Sequence, residues 1–324
     1  MGIRAARHPL AGLVYTLLLL TLTAGQPAGA EAFSVLSQNM NRLFDDIDDG
    51  NQENILASAE FRRRISAAVR KFAVEYALPH VIALQEVENL NVLRQIAAGI
   101  RRQSAIDYQP VLIPGQDISS INLAYLVRGD VTIRNFSQLF RAQRLAADGG
   151  PLFSRPPLRL EACLHARCLT LVNLHLRSMR GIDSAGKGAR VAVKRLRQAE
   201  TVALWVNRFQ QANPGAGLML LGDFNALTPT DRHVDVAGII RGNPDRKRTR
   251  LASRDLVDPD LLDLTRRIPP AQRYSFIFRH KKQQLDYLYV NEPLATTVDS
   301  IRFGAVDYAF SDHAGLLGTF YWHE

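Results

Sequence analysis

Apolar positions along the chain follow two rhythms. Runs of strand length occur at residues 33–37, 81–84, 108–113, 123–127, 169–174, 218–221, 274–278, 285–290 and 316–321, and these predict β-strands. Three stretches keep a 3.6-residue beat instead. Phe61, Ile65, Val69, Phe72 and Tyr76 form one stripe, with Arg62, Arg63, Arg64 and Lys71 mostly off it; Leu90, Leu93, Ile96 and Ile100 form a second. Ala192, Leu196, Ala199, Ala203 and Val206 form a third, which stops before Asn213-Pro214-Gly215. Each predicts an amphipathic helix. Between Tyr108 and Leu174 strands follow one another with no helical pattern, and the C-terminal stretch is strand-rich as well. Strands from both halves with helices to cover them predict an α/β (α+β) chain of two packed sheets flanked by helices. No repeat or low-complexity linker divides residues 31–324, which read as one domain. Residues 146–157, with three Pro and two Gly, predict a surface loop; residues 241–254, with five Arg and one Lys, predict an exposed, mobile basic loop.

The N-terminus carries a different pattern. Arg4 and Arg7 precede an apolar stretch over residues 10–23, and Ala28-Gly29-Ala30 supplies small residues for a cut. Residues 1–30 therefore read as a secretory signal peptide cleaved after Ala30. The alternative, a membrane anchor, needs about 20 apolar residues, and this run is shorter. No later segment is apolar enough to predict stable membrane insertion.

Composition narrows the class. The chain has 324 residues, 47% hydrophobic and 22% charged, which is too apolar for disorder. Two cysteines exclude a disulfide-dense scaffold and a four-cysteine zinc site. Forty Lys and Arg against 31 Asp and Glu give +9. Removing the leader removes two Arg and no acid, leaving +7 on 294 residues. A basic exported protein meets polyanions, although solubility alone also accounts for such a charge. Export also bears on Cys163 and Cys168, which enclose Leu-His-Ala-Arg between two apolar runs. They read as a hairpin stapled by a disulfide, with two unpaired buried thiols as the alternative.

Polar residues placed just beyond apolar strands are the main chemical signal, because a strand end is a rigid mount beside a loop that opens to substrate. Asn39, Glu86, Asn173 with His175, Asp223 with Asn225, and Ser311-Asp312-His313 all hold such positions. Asp286 is a lone acid among apolar neighbours in Leu285-Asp286-Tyr287 and needs a partner. Taken singly, each fits ordinary turn or cap chemistry.

Their joint order resembles the endonuclease/exonuclease/phosphatase superfamily with its deoxyribonuclease-I-like fold, and among its members the bacterial secreted nucleases. The resemblance rests on Ser37-Gln38-Asn39-Met40-Asn41, Leu84-Gln85-Glu86-Val87-Glu88, Asn173-Leu174-His175-Leu176-Arg177-Ser178, Gly222-Asp223-Phe224-Asn225, Leu285-Asp286-Tyr287 and Ser311-Asp312-His313. It implies a four-layered α/β/β/α sandwich and metal-dependent cleavage of phosphate esters. It implies Glu86 on a Mg²⁺, with Asn39 beside it and Asp312 as a further metal-side acid; Mn²⁺ and Ca²⁺ are the alternative ions. Asp223 and Asn225 look like the residues that orient or deprotonate the attacking water. His175 is similar to the histidine that contacts the scissile phosphate or protonates the leaving oxygen, and Asp286 looks like the partner of His313. Asn122 matches a position often held by Asp or Asn and is taken as a substrate contact.

The chemistry agrees with these roles. A hard cation on carboxylate oxygen neutralises an anionic phosphodiester and polarises its P–O bond, and Mg²⁺ keeps most of its waters and needs only one or two carboxylates. In-line attack needs a base on one side of phosphorus and an acid on the other, work that Asp223 and the two histidines can divide. Arg177 could grip a non-bridging oxygen. Some relatives carry further acids near the first strand; here the nearest are Asp45 and Asp46, in an Asp45-Asp46-Ile47-Asp48-Asp49 run that reads as a solvated acidic loop, with Ca²⁺ binding as the sharper alternative. The Gly181–Gly188 stretch nearly matches a phosphate-binding loop but ends in Gly where Ser or Thr would hold Mg²⁺. It reads as a flexible loop from which Arg180 and Lys187 could touch a substrate backbone.

The expected function is a secreted, metal-dependent nuclease acting on DNA, with RNA as a further candidate substrate. Two alternatives stand beside it. One is a phosphatase or phospholipase-type phosphodiesterase acting on a small headgroup, since surrounding loops and not the fold choose substrate. The other is a non-catalytic binding protein on the same scaffold. Oligomeric state is left open.

Overall fold

The structure is a computed structural model that describes Gly2 and residues 31–50, 54–146, 149–227 and 231–322. Apart from Gly2, the expected signal peptide lies outside the described residues. Two six-stranded mixed sheets carry the fold. In the first, β1 (Glu31–Leu43) crosses over α1 (Ser58–Arg70) and a π-helical turn at Lys71–Glu75 to pair in parallel with β2 (Val81–Val87). Helix α2 (Leu90–Ser104), β3 (Tyr108–Leu112) and β4 (Asn122–Arg128) follow. With β13 (Val298–Phe303) and β14 (Leu316–Trp322) the order is β13-β14-β1-β2-β4-β3. The second sheet uses β5 (Val131–Gln138), β6 (Leu158–Leu164), β7 (Arg167–His175), β8 (Gly217–Asp223), β9 (Leu262–Asp263) and β12 (Asp286–Val290), in the order β5-β6-β7-β8-β12-β9. Helix α3 (Gly188–Ala212) joins β7 to the parallel β8. Each sheet thus contains one βαβ unit, the connection that a parallel pair requires.

The alternation of side chains along each strand builds the layers. Phe33 and Val35 point between the sheets, with Ala83, Leu171, Met219 and Leu288, while Leu36 and Leu84 pack under α1 and α2. Leu174, Leu218 and Tyr287 pack under α3 and α4 (Val236–Arg241). The result is the pair of packed sheets flanked by helices that the strand and helix patterns predicted, in the four-layered α/β/β/α order that the resemblance implied. A small hairpin, β10 (Phe276–Phe278) with β11 (Lys281–Gln283), stands apart from both sheets. A last short helix, α5 (Glu292–Ala295), follows β12. Among the described residues no helix is long and apolar enough to cross a membrane.

Some local expectations change. Strands β5 and β13 were not predicted; they are sheet edges with largely exposed residues and few apolar positions. Residues 146–157 are only partly a surface loop, because Leu152 and Phe153 plug the core under α3 and Pro156 and Pro157 are buried. The basic segment 241–254 starts as the end of α4 and is pinned by buried Ser253, although Arg246, Lys247, Arg248, Arg250 and Arg254 are exposed. The acidic run is not simply solvated. Asp45 is 1% exposed and accepts hydrogen bonds from the Ile47 N–H and the Asn89 and Asn91 amides; protein donors therefore occupy the oxygens that a Ca²⁺ would need. Cys163 faces Cys168 across the β6–β7 hairpin and is bonded to it.

Candidate active site

The C-terminal ends of the two parallel pairs lie side by side. Strands β1 and β2 deliver Asn39 and Glu86, and β7 and β8 deliver His175 and Asp223. Crevices beyond the carboxyl ends of parallel strands are natural binding sites. In register, His175 lies opposite Asp223, and Asp223 lies opposite Asp286 at the start of β12. A buried network fixes the sheets relative to one another. The Gln85 amide donates to Asn173 Oδ1 at 2.8 Å, and the Asn173 amide donates to the Leu84 and Ala124 carbonyls at 2.9 and 3.1 Å. Asn173 is thus a spacer between the sheets and not a group in the cleft.

Backbone irregularities aim the side chains. The register shifts on both sides of Glu86, whose φ is +60°, and Asn41 and Arg42 are left-handed at the bulge after Asn39. Such bulges re-aim a strand's side chains and are stored strain at a site. Gly222 has φ +131°, and a Cβ there would sit 2.0 Å from the Leu174 carbonyl oxygen. Only glycine lets β8 approach β7 this closely just before Asp223.

The side chains then converge. The Asn39 amide donates to Glu86 Oε1 at 3.3 Å and to Asp223 Oδ2 at 3.2 Å. His175 Nε2 lies 3.7 Å from Glu86 Oε1 and 3.5 Å from Asp223 Oδ2. The Asn225 N–H donates to Asp223 Oδ1 at 2.8 Å, and the Asn225 amide donates to the Leu176 carbonyl. Asp286 Oδ2 lies 2.7 Å from His313 Nδ1, the partnership expected for a lone acid in an apolar strand. The Ser311 hydroxyl donates to the Asn39 carbonyl at 2.7 Å, which ties the loop before β14 to the end of β1. Glu86, His175, Asp223, Asn225, Asp312 and His313 line one cleft of about 730 Å³.

Electrostatics separates the two histidines. Burial, reinforced by the charges of Arg155 and His313, holds His175 well below the usual imidazole value, so its ring is neutral. Its Nδ1 is buried without a partner while its Nε2 faces the carboxylates of Glu86 and Asp223, the side on which a ring proton is best accommodated. Burial would also lower His313, but the charge and hydrogen bond of Asp286, helped by Asp223 and Asp312, override it and hold the ring up to about 10. Asp223 is pushed up to about 7 by burial first and by Asp286 next.

Among the described residues no three His, Cys, Asp or Glu side chains are grouped to hold a metal ion; a hard ion that keeps most of its waters needs only one or two carboxylates. Glu86 is the partly open carboxylate in the cleft, and its negative charge is one of those raising Asp223. Glu86, with Asp312 also lining the cleft, would hold the ion; Asn39, expected beside it, has its Oδ1 accepting from the Asn41 N–H at 2.9 Å and its amide donating to Glu86 and Asp223, so it positions the carboxylates.

Two expected contacts fall elsewhere. Asn122 accepts from the Gly115 N–H at 2.6 Å and donates to the Glu88 and Ser120 carbonyls, so its amide is consumed inside the chain and does not line the cleft. Lys187 is exposed just before α3 and also lies outside it, whereas Arg177 and Arg180 do line it. The structure adds Arg155, from the Pro-rich segment, which lines the cleft and is anchored by Asp117 Oδ2 at 3.1 Å and by the His175 and Leu176 carbonyls. It also adds Arg195 on α3, fully buried, which donates to the Arg177 carbonyl at 2.6 Å, the Asn225 carbonyl at 2.8 Å and Asp231 Oδ2 at 2.6 Å. One guanidinium thus braces the loops after β7 and β8. Arg195 sits one position from a predicted apolar stripe and had no visible partner in the sequence.

Similar solved structures share the fold. The chain superposes on truncated TDP2 from Caenorhabditis elegans with a TM-score of 0.55 at 18% identity, covering 90% of this chain and 98% of that one. An AP endonuclease from Archaeoglobus fulgidus gives 0.57 at 15% identity, covering 89% and 99%. ANGEL2, a 2′,3′-cyclic phosphatase, gives 0.56 at 14% identity, covering 90% and 95%. No curated protein matches the chain. The sequence model of the Endonuclease/Exonuclease/phosphatase family matches residues 36–313, from the first strand to His313. The chain therefore belongs to the Endonuclease/Exonuclease/phosphatase family of phosphoester hydrolases.

Proposed function

We propose that this protein is a secreted, divalent-metal-dependent nuclease that hydrolyses phosphodiester bonds in DNA and, as a second substrate, RNA. Residues 1–30 would be the export leader and residues 31–324 the catalytic domain. The observation that carries the reading is the convergence of Glu86, His175, Asp223 and His313, from four chain segments, in one cleft that Arg155, Arg177 and Arg180 also line. One of the similar structures is D. rerio TDP2 complexed with single-strand DNA product, which supports a nucleic-acid substrate.

Mg²⁺ fits the sparse oxygen set and, when bound, would neutralise the phosphate and polarise its P–O bond. The chain's own groups divide the remaining work. Arg155 and Arg177 would hold non-bridging oxygens. Neutral His175 would donate a hydrogen bond from Nε2 to the scissile phosphate. Asp223, raised toward neutrality and fixed through Oδ1 by the Asn225 N–H, would take the proton of the attacking water on Oδ2. Protonated His313, oriented by Asp286, would give its Nε2 proton to the leaving oxygen.

The test is incubation with supercoiled plasmid and Mg²⁺, with and without chelator, beside a panel of RNA, choline phosphodiesters and phosphomonoesters. Nicking that chelator abolishes and added Mg²⁺ restores is expected. Release of choline phosphate or inorganic phosphate with nucleic acid left intact would transfer the site to a small-headgroup substrate. Recovery of exported protein beginning at Glu31 checks the leader.

A further inference from the structure

The catalytic cleft has a neighbour. Beneath α4 lies a second cleft of about 780 Å³, floored by Tyr287 and Tyr289 and lined by Arg241, Arg246, Lys247, Arg266 and Arg273. We propose that it is a second phosphate-binding track, which holds the nucleic-acid backbone beyond the scissile phosphate; this rests on the nuclease reading above.

The charge there is not self-compensated. Three acids, Asp235, Asp245 and Asp263, share the lining with the five cations. Their oxygens are mostly committed to the backbone. Asp235 accepts from the Gly238 and Asp245 N–H groups, and Asp245 accepts from the Lys247 and Arg248 N–H groups. Asp263 accepts from the Thr265 N–H and hydroxyl and lies 3.6 Å from Arg266 Nε. Burial raises Asp263 above the usual carboxylate value, which makes it a weaker counter-charge. Among the described residues, Arg241, Arg246, Lys247 and Arg273 make no ion pair with a carboxylate. Arg273 donates through Nη2 to the Ile268 and Arg266 carbonyls at 2.7 and 2.8 Å, neutral acceptors that leave its charge unbalanced.

Position relates the track to the chemistry. Gln283 and Leu285 line the catalytic cleft, while Gln284 and Tyr287 line the second one. The two clefts therefore share one stretch of chain, residues 283–287, as a common wall. A strand leaving the scissile phosphate needs only to cross that wall to meet five further cations. The site is recessed, its tyrosines are buried, and Arg273 is half-buried. That shape suits a narrow phosphate chain and not a flat lipid surface.

The test reads binding independently of hydrolysis. A fluorescein-labelled 20-base-pair duplex is titrated in chelator, followed by anisotropy, across a salt series. The double variant Arg246→Glu/Lys247→Glu is compared with Arg134→Glu/Arg167→Glu, an equal charge change at exposed positions outside the lining of both clefts. Two lost phosphate contacts should lower the log–log salt slope by about 1.8. The wild type should then lose roughly tenfold more affinity than the cleft variant between about 50 and 200 mM salt. The charge-matched control should keep the wild-type slope. Equal losses in both variants, no loss in either, or no duplex binding by the wild type would overturn the proposal. So would loss of binding to phosphatidylglycerol vesicles, with duplex binding unchanged, in the Arg246→Glu/Lys247→Glu protein. If the expected binding pattern appears but no nucleic acid is ever cut, the track stands and the nuclease reading falls.

Discussion

Replacing Arg195 by Met removes the brace between the loops after β7 and β8. The guanidinium makes three short bonds, to the Arg177 and Asn225 carbonyls and to Asp231 Oδ2, and the side chain is completely buried. Breaking a buried pair by deleting one partner costs about 3–5 kcal/mol. Asp231 keeps the His233 and Val234 N–H groups on its other oxygen, which places the cost toward the lower end of that range. Against a total stability of roughly 5–15 kcal/mol the protein should still fold, with a melting temperature lower by roughly 10 °C. Turnover should fall further than stability implies, because the carbonyls that Arg195 holds belong to Arg177 and Asn225. A shift of about 1 Å in such loops costs on the order of a hundredfold in rate. Melting and steady-state kinetics on plasmid are measured for Arg195→Met, Asp231→Leu and the double variant. The double variant should recover part of the lost stability, since an apolar pair replaces a half-broken ionic one, but not the lost kcat. A single Arg195→Met variant that melts within about 2 °C of wild type with normal kcat would refute the brace.

Other outcomes follow from the same geometry. His313 sits at about 10 when folded against an ordinary 6.5, so the Asp286 pair contributes its full stability below about pH 6.5 and loses it as pH rises through about 10. In chelator, wild-type melting temperature should therefore fall more steeply between about pH 7 and 10 than that of Asp286→Asn; parallel curves would contradict the pairing. Cys163→Ser/Cys168→Ser should cost about 2 kcal/mol by the loop-closure argument. It should leave kcat intact, because Cys168 lies at the other end of β7 from His175, roughly 23 Å along the strand; an unchanged melting temperature would count against the cross-link. Glu86→Gln should raise the half-saturating Mg²⁺ concentration by more than roughly tenfold, and an unchanged Mg²⁺ titration would move the cation away from Glu86.

Which parts of this site could be read from the chain follows from how each residue is satisfied. Glu86, Asp223 and His313 stood out because each follows or precedes a strongly apolar strand, and such a strand has one rigid end to offer. Asp286 was legible for the opposite reason, as a charge inside an apolar run that demanded a partner, and the structure supplies His313 at 2.7 Å. Asn122 and Asp45 look the same in sequence as these residues. They differ in where the fold puts them: both lie outside the cleft, bonded to nearby N–H groups, and Gly115, Ile47, Asn89 and Asn91 cannot be ranked as donors before the backbone is folded. Edge strands β5 and β13 were invisible because one face meets water and few of their positions are apolar. Arg155 and Arg195 were hidden by a further step. Their partners, Asp117 and Asp231, lie 38 and 36 residues away, and neither arginine interrupts an apolar strand. The acids and His313 proposed to perform the chemistry announce themselves by breaking a local pattern. The groups that hold them in place make their sense only through long-range contacts, so it is the bracing of this site, more than its reacting atoms, that required the fold to be seen.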